Sequence, residues 1–149
     1  MYTLDKQLQQ DTTYLGQFTL CDVLLSKDAQ YPWVILVPRK ENIREIFHLS
    51  NEEQHLLSDE SVYVSQRLAD FYKADSMNVA ALGNVVAQLH VHHVVRKTND
   101  ATWPKPIWGA LPSQAYEKST LINQVEELQR LFSDKFVMQV SAPDGSDLY

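Results

Sequence analysis

A chain of 149 residues is long enough for one domain and too short for two of ordinary size, and its single cysteine, Cys21, excludes an intramolecular disulfide and a cysteine-rich zinc site. With 19 acidic against 13 basic residues the net charge is −6, which excludes the broad basic surface that binds long nucleic acid but not a local site for one mononucleotide. No run approaches the ~20 apolar residues of a membrane span, and Met1–Gln10 lacks the basic start and apolar core of a signal peptide, so the expectation is one domain over 1–149, cytoplasmic, with no membrane partner.

In chain order, Leu4 to about Gln10 predicts a short helix, with Leu4 and Leu8 one turn apart. Asp22–Ser26 and Pro32–Val37 are apolar runs separated by the turn-rich Lys27–Tyr31, the pattern of a hairpin. Pro38 ends the second run because it has no N–H to donate. Cys21 reads as a small apolar residue beside the first run. Glu41–Leu49 fits one or two helical turns. Ser50-Asn-Glu-Glu53 is a capping box, and the helix it starts keeps Leu57, Val64, Leu68 and Phe71 on one stripe and ends near Ala74. Met77–Leu82 predicts a strand closed by Gly83-Asn84, and Val85–Arg96 contains another. A polar, proline-rich loop covers Lys97–Pro112. A last helix covers 114–133, with Leu121, Val125, Leu128 and Phe132 at helical spacing. Phe136–Val140 predicts a short strand and Ser141–Tyr149 a loose tail. Short connections between neighbouring strands predict an antiparallel sheet with helices packed on one face, an α+β fold.

The chemistry concentrates in Gly83–Arg96. Side chains alternate along a strand, so Gln88, His90 and His92 line one face and Leu89, Val91, His93 and Val95 the other. The second face is mostly apolar and should meet the core, which makes His93 a buried structural histidine turned away from the other two. The first carries an amide and two imidazoles at intervals of ~6.5–7 Å. An imidazole is both a nucleophile and an acid–base group near pH 7, and an upstream Gly-Asn turn can bring N–H groups to phosphate oxygens. Spacing alone leaves three readings open: a solvated pair, a pair of metal ligands, or a phosphate site. No HExxH and no cysteine pair accompanies the histidines, so a metal would be weakly held. His48 and His55, in polar helical contexts, are expected at the surface. Arg96 is either near phosphate or a solvated charge at a strand end.

Gln88-Leu-His-Val-His-His-Val-Val-Arg96 resembles the signature of the histidine-triad superfamily, three histidines alternating with apolar residues and followed by a basic one. Aligned on Val94-Val95-Arg96, His90 falls on the family's middle histidine, the nucleophile, His92 on the third, and Gln88 replaces the first. A second register puts His90 first and His92 in the middle, but it requires a histidine at Val94 and leaves the upstream turn one step out. Asn84, six residues before His90 and directly after Gly83, matches the family's phosphate-binding amide. Asn78 resembles the earlier asparagine, one residue short in spacing, and Val85 stands where the family has a small hydroxyl. Val23–Asp28 and Pro32–Arg39 resemble the first hairpin, with Asp28 as the ribose-binding acid. Trp103-Pro-Lys-Pro-Ile-Trp108-Gly109 resembles a segment of a bacterial branch that also carries the Gln.

The resemblance implies a nucleotide phosphohydrolase or nucleotidyl transferase. In it His90 attacks the α-phosphate to form a covalent nucleotidyl-histidine, His92 hydrogen-bonds the phosphate or the bridging atom, and Asp28, Asn78, Asn84 and Gln88 bind the nucleotide. The implied substrate is a purine nucleotide, a dinucleoside polyphosphate or a nucleoside phosphoramidate. The implied assembly is a homodimer, with no cofactor and no metal. Gln88 and Val85 leave open an alternative, a nucleotide-binding module with little turnover. Trp103 and Trp108 are expected to pack in their loop, to wall a pocket or to sit at a dimer contact.

Overall fold

The computed structural model describes residues 1–137. Its elements are α1 (Lys6–Asp11), β1 (Thr12–Gln17), β2 (Cys21–Ser26), β3 (Trp33–Pro38), a single 3₁₀ turn (Ile46–His48), α2 (Asn51–Tyr72), β4 (Ser76–Ala80), β5 (Val91–Arg96) and α3 (Lys118–Leu131). The strands form one antiparallel sheet in the order β1-β2-β3-β5-β4.

The two central runs of the sequence become the buried centre of the sheet. Every residue of β2 is buried, as are the last five of β3, because both faces of these strands are covered. On one face Val23, Leu25, Val34, Leu36, Val91 and Val95 pack under α2 and α3, through Leu57, Val64, Leu68, Leu128 and Phe132. On the other, Leu24, Ile35 and Val37 are covered by Leu4 and Leu8, the latter from α1. The α+β class with an antiparallel sheet is as expected. The two long helices share one face, and the short α1 lies against the opposite one.

The capping box forms: Glu53 N donates to Ser50 Oγ (3.2 Å) and Ser50 N to the Glu53 carboxylate (2.9 Å). Inside α2 the buried Glu60 accepts from Leu20 N (2.9 Å) and Cys21 N (3.0 Å), which ties the helix to the start of β2. Buried Cys21 and exposed His48 and His55 sit as expected.

Several boundaries differ from the expectations. β1 is an additional strand. It lacks a clean alternation because it bulges between Tyr14 and Gly16, where Phe136 approaches so closely that a Cβ on Gly16 would lie 2.8 Å from its ring. α3 starts at Lys118, not 114, because Gln114 pairs instead with the loop after β2: Ala29 N donates to Gln114 O and Gln114 N to Asp28 Oδ1. β5 starts only at Val91. Leu36 is the last residue of β3 that pairs with it, and Leu89 N is taken by Ile43 O (2.9 Å) from the loop beyond β3. Phe136 and Val137 are in no strand, although Val137 N donates to Gln17 O; the rest of that expected strand and the expected tail lie outside the described residues. Among the described residues no helix is long and apolar enough to cross a membrane.

Candidate active site

β5 runs between β3 and β4 with Ile35 opposite His92 and Val34 opposite His93. This register decides what each imidazole meets. His93 faces the α2 side and is fully buried, with Nε2 2.7 Å from Ser61 Oγ and Nδ1 3.3 Å from Val34 O. Burial pushes its pKa down to about 4 despite hydrogen bonds to backbone carbonyls, so it is a neutral structural residue as expected. His92 faces the opposite side together with His90, which sits just before the strand. Their rings meet edge to face with centroids 4.9 Å apart.

Two hydrogen bonds assign the proton positions. Trp33 Nε1 donates to His92 Nδ1 (3.0 Å). An indole nitrogen only donates, so His92 Nδ1 is unprotonated and neutral His92 carries its proton on Nε2. Burial, with the charges of His90 and His93, pushes the His92 pKa down to about 3, so this tautomer persists into acid. His90 Nδ1 lies 2.7 Å from Gln88 O. A carbonyl only accepts, so His90 Nδ1 carries a proton, and the neutral ring has its lone pair on Nε2. Side by side stand one ring with a free lone pair and one with a fixed N–H donor.

Both rings line a cleft of about 440 Å³. Leu8, Asp11 and Thr12 from the N-terminal segment form one wall, Trp33 and Ile35 part of the floor, and Ile107 and Trp108 another wall. Trp108 stands edge to face with His92 at 5.6 Å, and its buried indole nitrogen has no partner among the described residues. Asp28 borders the same cleft. Its carboxylate accepts from Gln30 N (3.0 Å), from the Gln30 amide and from Gln114 N (3.3 Å). Among the described residues no three metal-binding side chains converge.

The other expected nucleotide ligands lie elsewhere. Asn84 is exposed in the turn begun by Gly83, which adopts φ 66° and borders His90 on its far side. Asn78 Oδ1 accepts from Arg96 Nη1 (2.7 Å) on the sheet. The Gln88 amide is taken by the backbone of Thr3 and Asp5. Neither Asn78 nor Gln88 borders the cleft. Arg96 fits neither expectation. It is buried, with Nε and Nη2 on the Asp100 carboxylate (2.8 and 3.1 Å), and its guanidinium stacks at 5.6 Å from Trp103. Trp33 and the N-terminal wall were not foreseen. Trp33 carried a signal, since a tryptophan opening a strand beside a histidine strand has an N–H that needs a partner.

The family model described as HIT domain matches residues 7–99. A histidine triad protein of known structure from Marinobacter aquaeolei is 46% identical, covering 91% of this chain and 98% of that one, with a TM-score of 0.88. Another from Bradyrhizobium japonicum is 39% identical over the same shares, with a TM-score of 0.83. A diadenosine triphosphate hydrolase from Plasmodium falciparum shares the fold at 14% identity, over 92% of this chain and 86% of that one, with a TM-score of 0.59. No curated protein matches the chain at a significant level.

Proposed function

The chain belongs to the histidine-triad family, and on that premise we propose that it cleaves purine nucleotides at the α-phosphate through a covalent nucleotidyl-histidine. The observation that carries this reading is the pair of complementary tautomers, a lone pair on His90 Nε2 beside an N–H on His92 Nε2. His90 Nε2 attacks the α-phosphorus, the bond from phosphorus to the leaving group breaks, and the electron pair departs with that group. The Nδ1–H of His90 stays on Gln88 O, which stabilises the cationic ring of the intermediate. His92 Nε2–H donates a hydrogen bond to a phosphoryl or bridging oxygen and stabilises the charge that builds up there, and the departing group takes its proton from water. Water then attacks phosphorus, the P–N bond breaks, and His90 returns to its neutral form.

Asp28, on the rim of the cleft, accepts from the ribose hydroxyls. Suitable substrates are dinucleoside polyphosphates and nucleoside phosphoramidates. No resident cofactor or metal is required. A homodimer fits the outer edge of β4, which no further strand among the described residues pairs, and where Val79 and, beside it on α2, Val62 are exposed. A cytoplasmic location suits the lone Cys21 thiol.

The test is turnover of a fluorogenic adenosine phosphoramidate and of a diadenosine polyphosphate by the wild-type protein and by His90→Ala. The expected loss is about 10³-fold or more, with nucleotide affinity and fold retained. Mass spectrometry of the quenched wild-type reaction should show one added nucleotidyl group. Near-normal rates in the variant overturn the assignment of the nucleophile. Tight nucleotide binding without turnover by the wild-type protein makes it a binding module instead.

A further inference from the structure

We infer that Gln88 is a positioning residue, whose side chain is the clamp by which the N-terminal segment fixes the nucleophile His90. The inference rests on the reading of His90 as nucleophile. Gln88 lies before β5, outside the strand ladder, and a loop carbonyl, Ile43 O, takes the N–H of the Gln88–Leu89 peptide plane (Leu89 N, 2.9 Å). The Gln88 carbonyl is the acceptor that holds His90 Nδ1–H at 2.7 Å. The side chain adds a second restraint, on the side of the N-terminal segment. Gln88 Oε1 accepts from Asp5 N (2.9 Å) and Gln88 Nε2 donates to Thr3 O (2.9 Å), so both ends of the amide pair with backbone two residues apart, as a neighbouring strand would.

The segment that grips Gln88 is itself fixed. Tyr2 Oη donates to Asp22 Oδ2 (2.7 Å), Leu4 is buried against Leu24, Ile35 and Val37, and Asp5 caps α1 by accepting from Gln7 N (2.8 Å). Asp22 is wholly buried on β2 and also receives Tyr14 Oη (3.1 Å). A continuous chain of contacts therefore runs from β2 through Tyr2, Thr3 and Asp5 to Gln88 and His90. The same segment continues into α1 and supplies Leu8, Asp11 and Thr12 to the cleft wall. Wall and nucleophile share one anchor, so loosening the segment misaligns the lone pair of His90 without removing any group that touches substrate. Such a defect falls on the chemical step rather than on binding.

The test is a two-residue cycle. Gln88→Met keeps the length of the side chain and removes both hydrogen bonds. Asp5→Pro removes the N–H that Gln88 accepts, at a position whose φ of −54° suits the proline ring, and with it the cap on Gln7 N; Asp5→Ala, which removes the cap and keeps the N–H, is the reference for its effect. We expect Gln88→Met to lower kcat about tenfold and Asp5→Pro about threefold, with KM within about twofold of wild type, and the double variant to be no slower than Gln88→Met. In ring-¹⁵N spectra, His90 should be the Nδ1–H tautomer in the wild type and a tautomer mixture in Gln88→Met. Unchanged kcat and tautomer overturn the inference. A raised KM at unchanged kcat makes Gln88 a substrate ligand and overturns it too. A double variant about thirtyfold slower shows independent effects and overturns the coupling. Should Asp5→Pro fail to fold, Gln88→Met alone decides. A wild-type protein without turnover counts against the proposed function only, and the ring spectra then decide the clamp.

Discussion

Trp33 and His92 are joined by a hydrogen bond of 3.0 Å from the indole nitrogen to Nδ1, across the β3–β5 pairing, and that bond fixes neutral His92 with its proton on Nε2. Trp33→Phe keeps an aromatic wall and removes the donor. His92 is then free to place its proton on Nδ1, which turns Nε2 into an acceptor aimed at an anionic phosphate. The expected result is a fall in kcat of about tenfold with a smaller change in KM, and ring-¹⁵N spectra in which His92 is no longer a single Nε2–H tautomer. A variant with wild-type kcat would show that His92 does not act as a donor.

The ranking of the two histidines is a second expectation. His90→Ala removes the atom that bonds to phosphorus and should abolish turnover. His92→Ala removes a hydrogen-bond donor and should cost about 10²–10³-fold in kcat. Steady-state rates of the two variants check this. The reverse ranking favours the register in which His92 is the nucleophile.

How much of this was legible in the chain depends on how local the cause is. β2 and β3 announce themselves because strands covered on both faces are unbroken apolar runs, and α2 because its capping box is written within four residues. The histidine pair is legible because period two is a property of the backbone alone. β1 is not, since its bulge and the close approach of Phe136 break the alternation that would mark it. The placement of Gln88 is not legible either. Its partners Thr3 and Asp5 lie 85 and 83 residues away, so nothing near Gln88 distinguishes an amide that meets phosphate from one that meets backbone. Arg96 was open between two solvent-facing roles because its partner carboxylate, four residues on at Asp100, lies outside the strand that positions the arginine.

The two depressed histidines make stability depend on pH. Their folded pKa values, about 3 for His92 and about 4 for His93, lie below the unfolded value of about 6.5. Above pH 6.5 both states are neutral and the contribution is fully present. As pH falls below 6.5 the unfolded chain takes up protons that the folded chain refuses, so stability is lost at up to ~1.4 kcal/mol per pH unit for each ring until the folded pKa is reached. The Asp22 carboxyl, raised by burial, acts in the opposite sense but is common to wild type and variants. Urea unfolding at pH 7.5, 6.0 and 5.0 should show falling midpoints. His93→Gln should flatten the slope by about one proton's worth. An equal slope in the variant would mean that His93 is protonated in the fold.

Arg96 and Asp100 form a buried pair that also carries the loop holding Trp108. Besides the guanidinium, Asp100 accepts from the backbone N–H groups of Lys97, Thr102 and Trp103. Asp100→Ala leaves a buried charge without its partner and should cost about 3–5 kcal/mol of folding stability. Arg96→Met, which removes the charge but fills the space, should cost less. Denaturant unfolding of both variants measures the difference. Its reversal would mean that Asn78 Oδ1 and the Trp103 ring hold the Arg96 charge without this carboxylate.

Asp28 tests the orientation of the nucleotide in the cleft. Its Oδ1 is occupied by Gln30 N and Gln114 N, and both carboxylate oxygens accept from the Gln30 amide. Asp28→Asn retains an oxygen for the structural bonds and removes the charge that makes the site a strong acceptor for two vicinal hydroxyls. With a ribonucleotide substrate, KM should rise about tenfold while kcat stays within about twofold, because the ribose is bound equally in the ground and transition states. With the corresponding 2′-deoxy substrate the wild type should already show the higher KM, and the variant should add little. Steady-state kinetics on the four combinations separates this from a loop defect, which would raise KM for both substrates by the same factor. A variant that loses kcat and keeps KM would instead place Asp28 beside the reacting phosphate.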